Sequence, residues 1–391
     1  MLVDVVVEQA VVVIVGPGPS GLATSACLNN LSIPNIILEK ESFHASLWKL
    51  RTYDRLKLHL AKELCNLPHM PFSPSAPTYI SKDDFIRYLN NYVSKFNLSP
   101  RYHRLVKSAS CDKLTGRWQI EVENTKSGET ELYITEFLVV ASGKNAEGYI
   151  LKIHGLHNFV GEITHSRDYK SGSKYSGKDV LVVGCGNSGM EIEYNLAESK
   201  ACTSIVIRSS VHFLTKEMVH LGMVLLKYLP LSYVDSFITL ISRFLYVNLA
   251  KYGIERPANG PFYIKATQGR STVIDVGTVK KIKEEEIKVR NNIISSVQAT
   301  NLKFSNGEIR KFDAIIFATG YKSGIRKWLK EYGYIFNEEG LPKNKFRNHW
   351  RGSNGLYCVG FSRRGLAGVS MDDVAIAQDI KLIMGGKKSR Y

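Results

Sequence analysis

The chain has few of the residues that build metal sites and disulfide frameworks. Its 391 residues hold six cysteines, Cys27, Cys65, Cys111, Cys185, Cys202 and Cys358, set far apart with no CxxC pair. That spacing gives neither a redox dithiol nor a tetrahedral zinc set, so no metal is expected and a reducing compartment fits. A cationic leader is also missing. Met1 to Ala10 carries Asp4 and Glu8 and no lysine or arginine, so the apolar run through Val15 reads as a leading strand and not a signal peptide. No address signal stands out, which predicts a cytoplasmic location. Long apolar runs are scarce: the most lipid-like stretch, Met218 to Leu249, is interrupted by Lys227, Pro230, Asp235 and Arg243. Each of these is costly at a bilayer centre, so the stretch predicts buried or groove-lining helices and no transmembrane segment, with shallow peripheral membrane contact the less favoured alternative.

Acidic residues are few. Against 52 lysines and arginines stand 36 aspartates and glutamates, a net charge of +16. The basic residues are spread along the chain and no nucleic-acid-binding motif accompanies them, so nucleic acid is not an expected partner. Anionic small molecules explain the charge better, with a solvated basic surface as the plain alternative. At 44% hydrophobic the chain can bury ample core in two or three domains.

What the sequence does have is one signal twice: apolar runs ending in GPGPSG at Gly16 to Gly21 and in GCGNSG at Gly184 to Gly189. Each follows a buried-strand pattern and opens a helical one, the context that gives GxGxxG its meaning. Each half closes on a second apolar strand, at Gly143 and Gly320, giving distances of 143 − 16 = 127 and 320 − 184 = 136 residues. Two related α/β units are expected, each holding a dinucleotide.

In the first loop, Gly16 makes the tight turn, Gly18 admits a pyrophosphate, Gly21 lets helix pack on strand, and Pro17 and Pro19 stiffen the turn ahead of Ser20. The next strand ends in Glu39, placed to accept from a ribose 2′-OH and to repel a 2′-phosphate, which suits FAD or NAD. A glycine-rich turn with a solvated Glu39 is the competing reading. In the second loop, Gly184, Cys185, Gly186, Asn187, Ser188 and Gly189 are followed by a strand ending in Arg208. A guanidinium there forks onto a 2′-phosphate and favours NADPH; Ser209 adds a hydroxyl, or is an ordinary loop serine.

Between the units, Phe159, Gly161, His165 and Tyr169 spell FxGxxxHxxxY. On this motif and on stretches such as GCGNSGMEIEYNL, FDAIIFATGYKS and LYCVGFSRRGLAG, nearly the whole chain resembles the plant YUCCA-type flavin-containing monooxygenases. The resemblance implies FAD in the first unit and NADPH in the second. It further implies O2 uptake through a flavin C4a-peroxide, and conversion of indole-3-pyruvate to the auxin indole-3-acetate with release of CO2. His165 is then assigned to cofactor placement, not proton transfer.

The same resemblance puts Lys40 and Trp48 at the flavin, Arg55 and Leu58 nearer its ring, Asp372 at its tail, and His59 near the reactive edge as a candidate hydrogen-bond donor. Trp48 fits a core position equally, and Asp372 an ordinary helix N-cap. Lys57, Arg55 and Lys144 are candidates for the substrate carboxylate, and Met218 to Leu249 for an indole wall or plain core. Ala61 and Lys144 depart from the family's usual proline and glutamate. Two rivals remain, a monooxygenase of nucleophilic sulfur or nitrogen and a non-turnover flavin and NADPH redox sensor.

The predicted fold is therefore α/β, with two Rossmann-like dinucleotide-binding domains and antiparallel β inserts: an FAD domain at 1–172 and 326–391 around an NADPH domain at 173–325, with a helical insertion at about 217–250.

Overall fold

A computed structural model describes residues 6–344, 348–362 and 364–388. The chain forms two compact units, one made of Met1–Leu50, Lys62–Glu147 and Tyr321–Tyr391, the other of Arg51–Ala61 and Gly148–Gly320.

In the first unit, Val12 to Val15 is buried on both faces, which an unbroken apolar run requires of a central parallel strand. The strand Val6–Val15 pairs in parallel with Asn35–Leu38 on one side and Thr130–Val140 on the other, and Leu356–Cys358 extends the sheet beyond the latter. The early part of Thr130–Val140 instead carries Trp118–Asn124 and then Arg104–Cys111 as an antiparallel insert. Trp118 fills this part of the core, and its indole N–H donates to the Asn354 carbonyl at 2.7 Å. The closing helix Gly365–Lys388 packs on the helix Pro19–Asn30 that follows the first glycine loop.

The second unit is built on five parallel strands in the order Ile287–Arg290, Cys202–Val206, Asp179–Val183, Ala314–Phe317, Glu162–His165. The glycine loop leaves the end of the central strand, where the chain order reverses and nucleotides are bound in such sheets. Part of the expected antiparallel region forms, as Ile294–Gln298, Asn301–Phe304 and Ile309–Lys311. The rest of the stretch from Ile274 to Ile309, whose alternating apolar and polar residues predict antiparallel strands, differs: Thr278–Lys283 is helical and Ile287–Arg290 joins the parallel sheet.

The unit boundaries lie away from those expected. Residues 148–172 belong to the second unit because Glu162–His165 pairs in register with Ala314–Phe317. Residues 51–61 join it as well: Asp54 N–H donates to the Lys170 carbonyl, Lys170 Nζ donates to the Thr52 carbonyl, and Arg51 pairs with Asp168. Such long-range closures leave no local periodicity to read.

The helical insertion forms as Lys216–Leu225 and Leu231–Leu245, separated at Pro230. Thr215 caps the first helix, its Oγ1 accepting from Met218 N–H at 3.2 Å. Val234, Ile238 and Ser242 are buried, but Tyr233, Phe237, Leu240 and Phe244 are exposed, so the helix is covered on one face only. Among the described residues no helix is long and apolar enough to cross a membrane.

Candidate functional site

The two glycine loops have the same geometry. Gly16 and Gly184 adopt φ of +105° and +113°, a region that disfavours any side chain, and a Cβ on either would press on the backbone of Ala141 or Ala318. A Cβ on Gly21 or Gly189 would overlap the carbonyl oxygen of Gly16 or Gly184, so helix and strand approach as closely as they do only because both positions lack one. Gly18 and Gly186 differ: their conformation is extended and a Cβ there meets nothing within 4 Å. Each leaves an open cradle at the start of a helix with no side-chain cap and no acid in its first turn. The amide groups of Ser20 and Gly21, and of Asn187, Ser188 and Gly189, lie in the first turns of these helices, where N–H groups have no intrahelical acceptor and favour an anion. Asn187 has a second task, its Oδ1 accepting from Ile274 N–H at 2.7 Å.

Around the first loop, Glu39 is buried, and burial raises its carboxyl above the ordinary value although the Glu41 N–H donates to it at 3.0 Å. Ser142 follows the closing strand beside Gly16, and its Oγ is buried with no hydrogen-bond partner among the described residues. An orphaned hydroxyl, an open glycine cradle and an uncapped helix fit a dinucleotide. Lys40 is exposed, near Glu41. Trp48 is half-buried and packs edge-on against Phe85 at 4.5 Å. Asp372 is buried and paired with His349 Nε2 at 3.1 Å, and its neighbour Asp373 accepts from Thr24 Oγ1 at 2.5 Å. Asp373 thus ties the closing helix to the loop helix, while Asp372 lies inside Gly365–Lys388 and not at its start, so it is not the helix N-cap expected.

Around the second loop, Arg208 and Ser209 are exposed, and Arg270 Nη2 donates to the Ser210 carbonyl at 3.1 Å, bringing a second guanidinium to the same turn. FxGxxxHxxxY has a structural account here. A Cβ on Gly161 would overlap the Asp313 carbonyl and the Phe159 ring. His165 Nδ1 accepts from Arg167 N–H at 3.1 Å, so its Nε2–H donates to the Gly320 carbonyl at 3.0 Å. Burial lowers the His165 pKa and keeps the ring in this neutral, bridging form. Tyr169 OH donates to Asn195 Oδ1 at 2.7 Å.

Arg55, Leu58 and His59, expected near the flavin ring and its reactive edge, lie in a segment that belongs to the second unit. Arg55 stacks on the Tyr194 ring at 4.3 Å, Leu58 is buried, and His59 Nε2 lies 2.9 Å from the buried carboxylate of Glu191. The Nε2 of His59 is thus engaged by Glu191 and not open to a further partner. Lys57 is exposed and Lys144 half-buried. Sequence reasoning missed Glu191 and Lys216. Burial pulls the Lys216 ammonium below its ordinary value, and the field of Glu191 opposes that shift. The only local sign was an acid two residues after Gly189, on a helix face expected to be apolar.

Two Rossmann-type units with open, uncapped glycine cradles define a protein built to hold two dinucleotides. Residues 9–332 match the flavin-binding monooxygenase-like family. Probable indole-3-pyruvate monooxygenase YUCCA10 of Arabidopsis thaliana is 52% identical over 97% of this chain and 100% of its own length. Indole-3-pyruvate monooxygenase YUCCA6 of the same plant is 44% identical over 94% of this chain and 89% of its own. A flavin-containing monooxygenase from Stenotrophomonas maltophilia shares the fold at a TM-score of 0.72 and 18% identity, over 96% of this chain and 99% of that one. The chain belongs to the flavin-binding monooxygenase family, within its plant YUCCA branch, and is an FAD- and NADPH-using oxidoreductase.

Proposed function

We propose that the protein is an indole-3-pyruvate monooxygenase: indole-3-pyruvate, O2, NADPH and a proton give indole-3-acetate, CO2, NADP⁺ and water, in the cytoplasm. The observation that carries the reading is the 52% identity, end to end, with a relative named for that reaction. The bound flavin supplies hydride acceptance and oxygen activation.

The chain supplies placement. Gly16, Gly18 and Gly21 with the amides of Ser20 and Gly21 hold the FAD pyrophosphate, and Glu39 and Ser142 hold its ribose end. Gly184, Gly186 and Gly189 hold that of NADPH, and Arg208, with Ser209 beside it, takes the 2′-phosphate. His165 and Tyr169 fix the framework of the second unit. His59 is held by Glu191, and the substrate carboxylate is met by a cation of the Arg55, Lys57 and Lys216 group.

The test is chromatographic identification of products from FAD-loaded protein given NADPH, O2 and indole-3-pyruvate, with catalase present to remove leaked peroxide. Indole-3-acetate formed in step with NADPH loss is expected. NADPH loss without it moves the reading to sulfur and nitrogen substrates, and a flavin that ignores oxygen moves it to a redox sensor.

A further inference from the structure

The segment 51–61 is fixed at two points to the helix that opens from the second glycine loop. Arg55 stacks on the ring of Tyr194 at 4.3 Å, and His59 meets Glu191, one turn earlier on the helix, with Nε2 2.9 Å from the carboxylate. Glu191 lies on the buried face of the helix Asn187–Glu198, two residues and about 3 Å of rise past Gly189. Lys216 opens the next helix, and the field of Glu191 reaches its ammonium. The strand before Lys216 is tied to the same helix end: Leu214 pairs with Ile274, whose N–H donates to Asn187 Oδ1 at 2.7 Å. Three segments distant in sequence thus bring His59, Glu191 and Lys216 to the loop end of one helix.

Stability alone is a poor account of the pair. A buried carboxylate is costly to desolvate, and replacing such a pair by apolar side chains of similar volume is often neutral or stabilising. What the pair fixes is the ring. A carboxylate only accepts, so the ring nitrogen facing it carries a proton. Of the two nitrogens only Nδ1, which has no hydrogen-bond partner among the described residues, is left for a ligand. The His59 side chain is 26% exposed and that of Glu191 4%, so the ring is the edge of the pair that a ligand can reach. The sequence expectation made His59 a donor; held in this way, the neutral ring accepts.

We propose that Glu191 is a positioning residue, holding the His59 ring so that Nδ1 meets the nicotinamide half of NADPH seated on the second glycine loop. This rests on the reading that the second loop holds NADPH. On that reading Arg208, at the end of the following strand, takes the adenosine half. A side chain held at the opening turns of the helix itself is then left to the other half, whose carboxamide N–H groups and ribose hydroxyls are donors for Nδ1. A carboxylate that engages one nitrogen of a histidine sets the ring's orientation and the nitrogen it presents.

The experiment is calorimetric titration of the FAD-loaded full chain with NADP⁺ and with 2′,5′-ADP, which carries the adenosine half and its 2′-phosphate but no nicotinamide. His59→Leu and Glu191→Leu should each weaken NADP⁺ about 5- to 10-fold, the scale of one hydrogen bond, and leave 2′,5′-ADP unchanged. The double variant should lose no more than either single one. Glu191→Gln, whose amide oxygen still accepts from Nε2, should restore most of the affinity. Far-UV circular dichroism checks folding; if His59→Leu, which strands a buried carboxylate, fails it, Glu191→Leu and the double variant, which leave none, decide with the same two ligands. Equal weakening of both ligands, unchanged NADP⁺ affinity, or losses that add in the double variant overturn the proposal. Arg208→Ala should weaken both ligands; if it weakens neither, the reading of the second loop falls and the proposal with it, whereas the preceding outcomes overturn the proposal alone.

Discussion

The two glycine loops are nearly superimposable in their demands on the chain, yet the residues at the ends of the following strands differ in every respect. Glu39 is buried, anionic when ionised and engaged by the Glu41 N–H, whereas Arg208 is exposed. A phosphate cradle is made of backbone, so its geometry repeats wherever strand, turn and helix repeat. On the proposed reading, selectivity is made of side chains one strand away, at Glu39 and Arg208, where the units differ. The helices behind the loops also differ: the first is locked to the closing helix through Thr24 and Asp373, the second buries Glu191 and Glu193.

The comparison breaks most visibly at the glycines. Gly21→Ala and Gly189→Ala place a methyl on a backbone oxygen and should each cost about 3 kcal/mol or more. Gly18→Ala and Gly186→Ala, whose Cβ positions are open, should leave the unfolding midpoint nearly unchanged and weaken FAD or NADPH respectively. Thermal unfolding of the apoprotein beside cofactor titration separates the two kinds; equal destabilisation by all four would remove the distinction drawn between cradle and packing glycines.

Arg208→Ala should lower the preference for NADPH over NADH by roughly 10- to 100-fold, the scale of losing a charged hydrogen-bond pair. The ratio of kcat/KM for the two nucleotides measures it, and an unchanged ratio assigns the 2′-phosphate elsewhere, with Arg270 first in line.

A pH series sharpens the contrast between the helices. Burial raises the Glu193 carboxyl to about 8, although Thr203 Oγ1 donates to it at 2.5 Å. The folded state keeps the proton that the unfolded state gives up, so this group's contribution to stability is present at acid pH and is lost as pH rises from about 4.5 to about 8. Glu193→Gln should flatten urea-derived stability over that window by up to one proton, about 1.4 kcal/mol per pH unit. An undiminished slope would place the titrating group elsewhere.

The smallest expected effect is at Ser142. Removing a hydroxyl that has no protein partner should leave the apoprotein at least as stable, while Ser142→Ala loosens FAD about fivefold, near 1 kcal/mol. Flavin loss on dilution, followed by fluorescence, reads it; unchanged retention would leave the orphan hydroxyl without a ligand.

Much of this was legible in the sequence because it is local. Val12 to Val15 running into GPGPSG dictates strand, turn and helix within a dozen residues, and the repeat at Gly184 shows the same physics again. The segment Arg51–Ala61 is the opposite case. Its place in the expected first domain followed from position along the chain, and its residues pack beside Asp168, Lys170, Glu191 and Tyr194 of the second unit. His59 could be picked out, but the carboxylate that claims its N–H is 132 residues away. Asp372 was recognisable as the acid of a helix, and its partner His349 was not.

The sequence by itself determined the two α/β units, their glycine cradles and the charges set at Glu39 and Arg208, because these follow from period, turn chemistry and residue type over short spans. Only the tertiary structure decided which unit holds residues 51–61 and 148–172, which acids are buried, and which apolar face of the Leu231–Leu245 helix is covered. Those depend on contacts between distant segments, and hydrophobic composition alone carries no record of which of two apolar faces finds a partner.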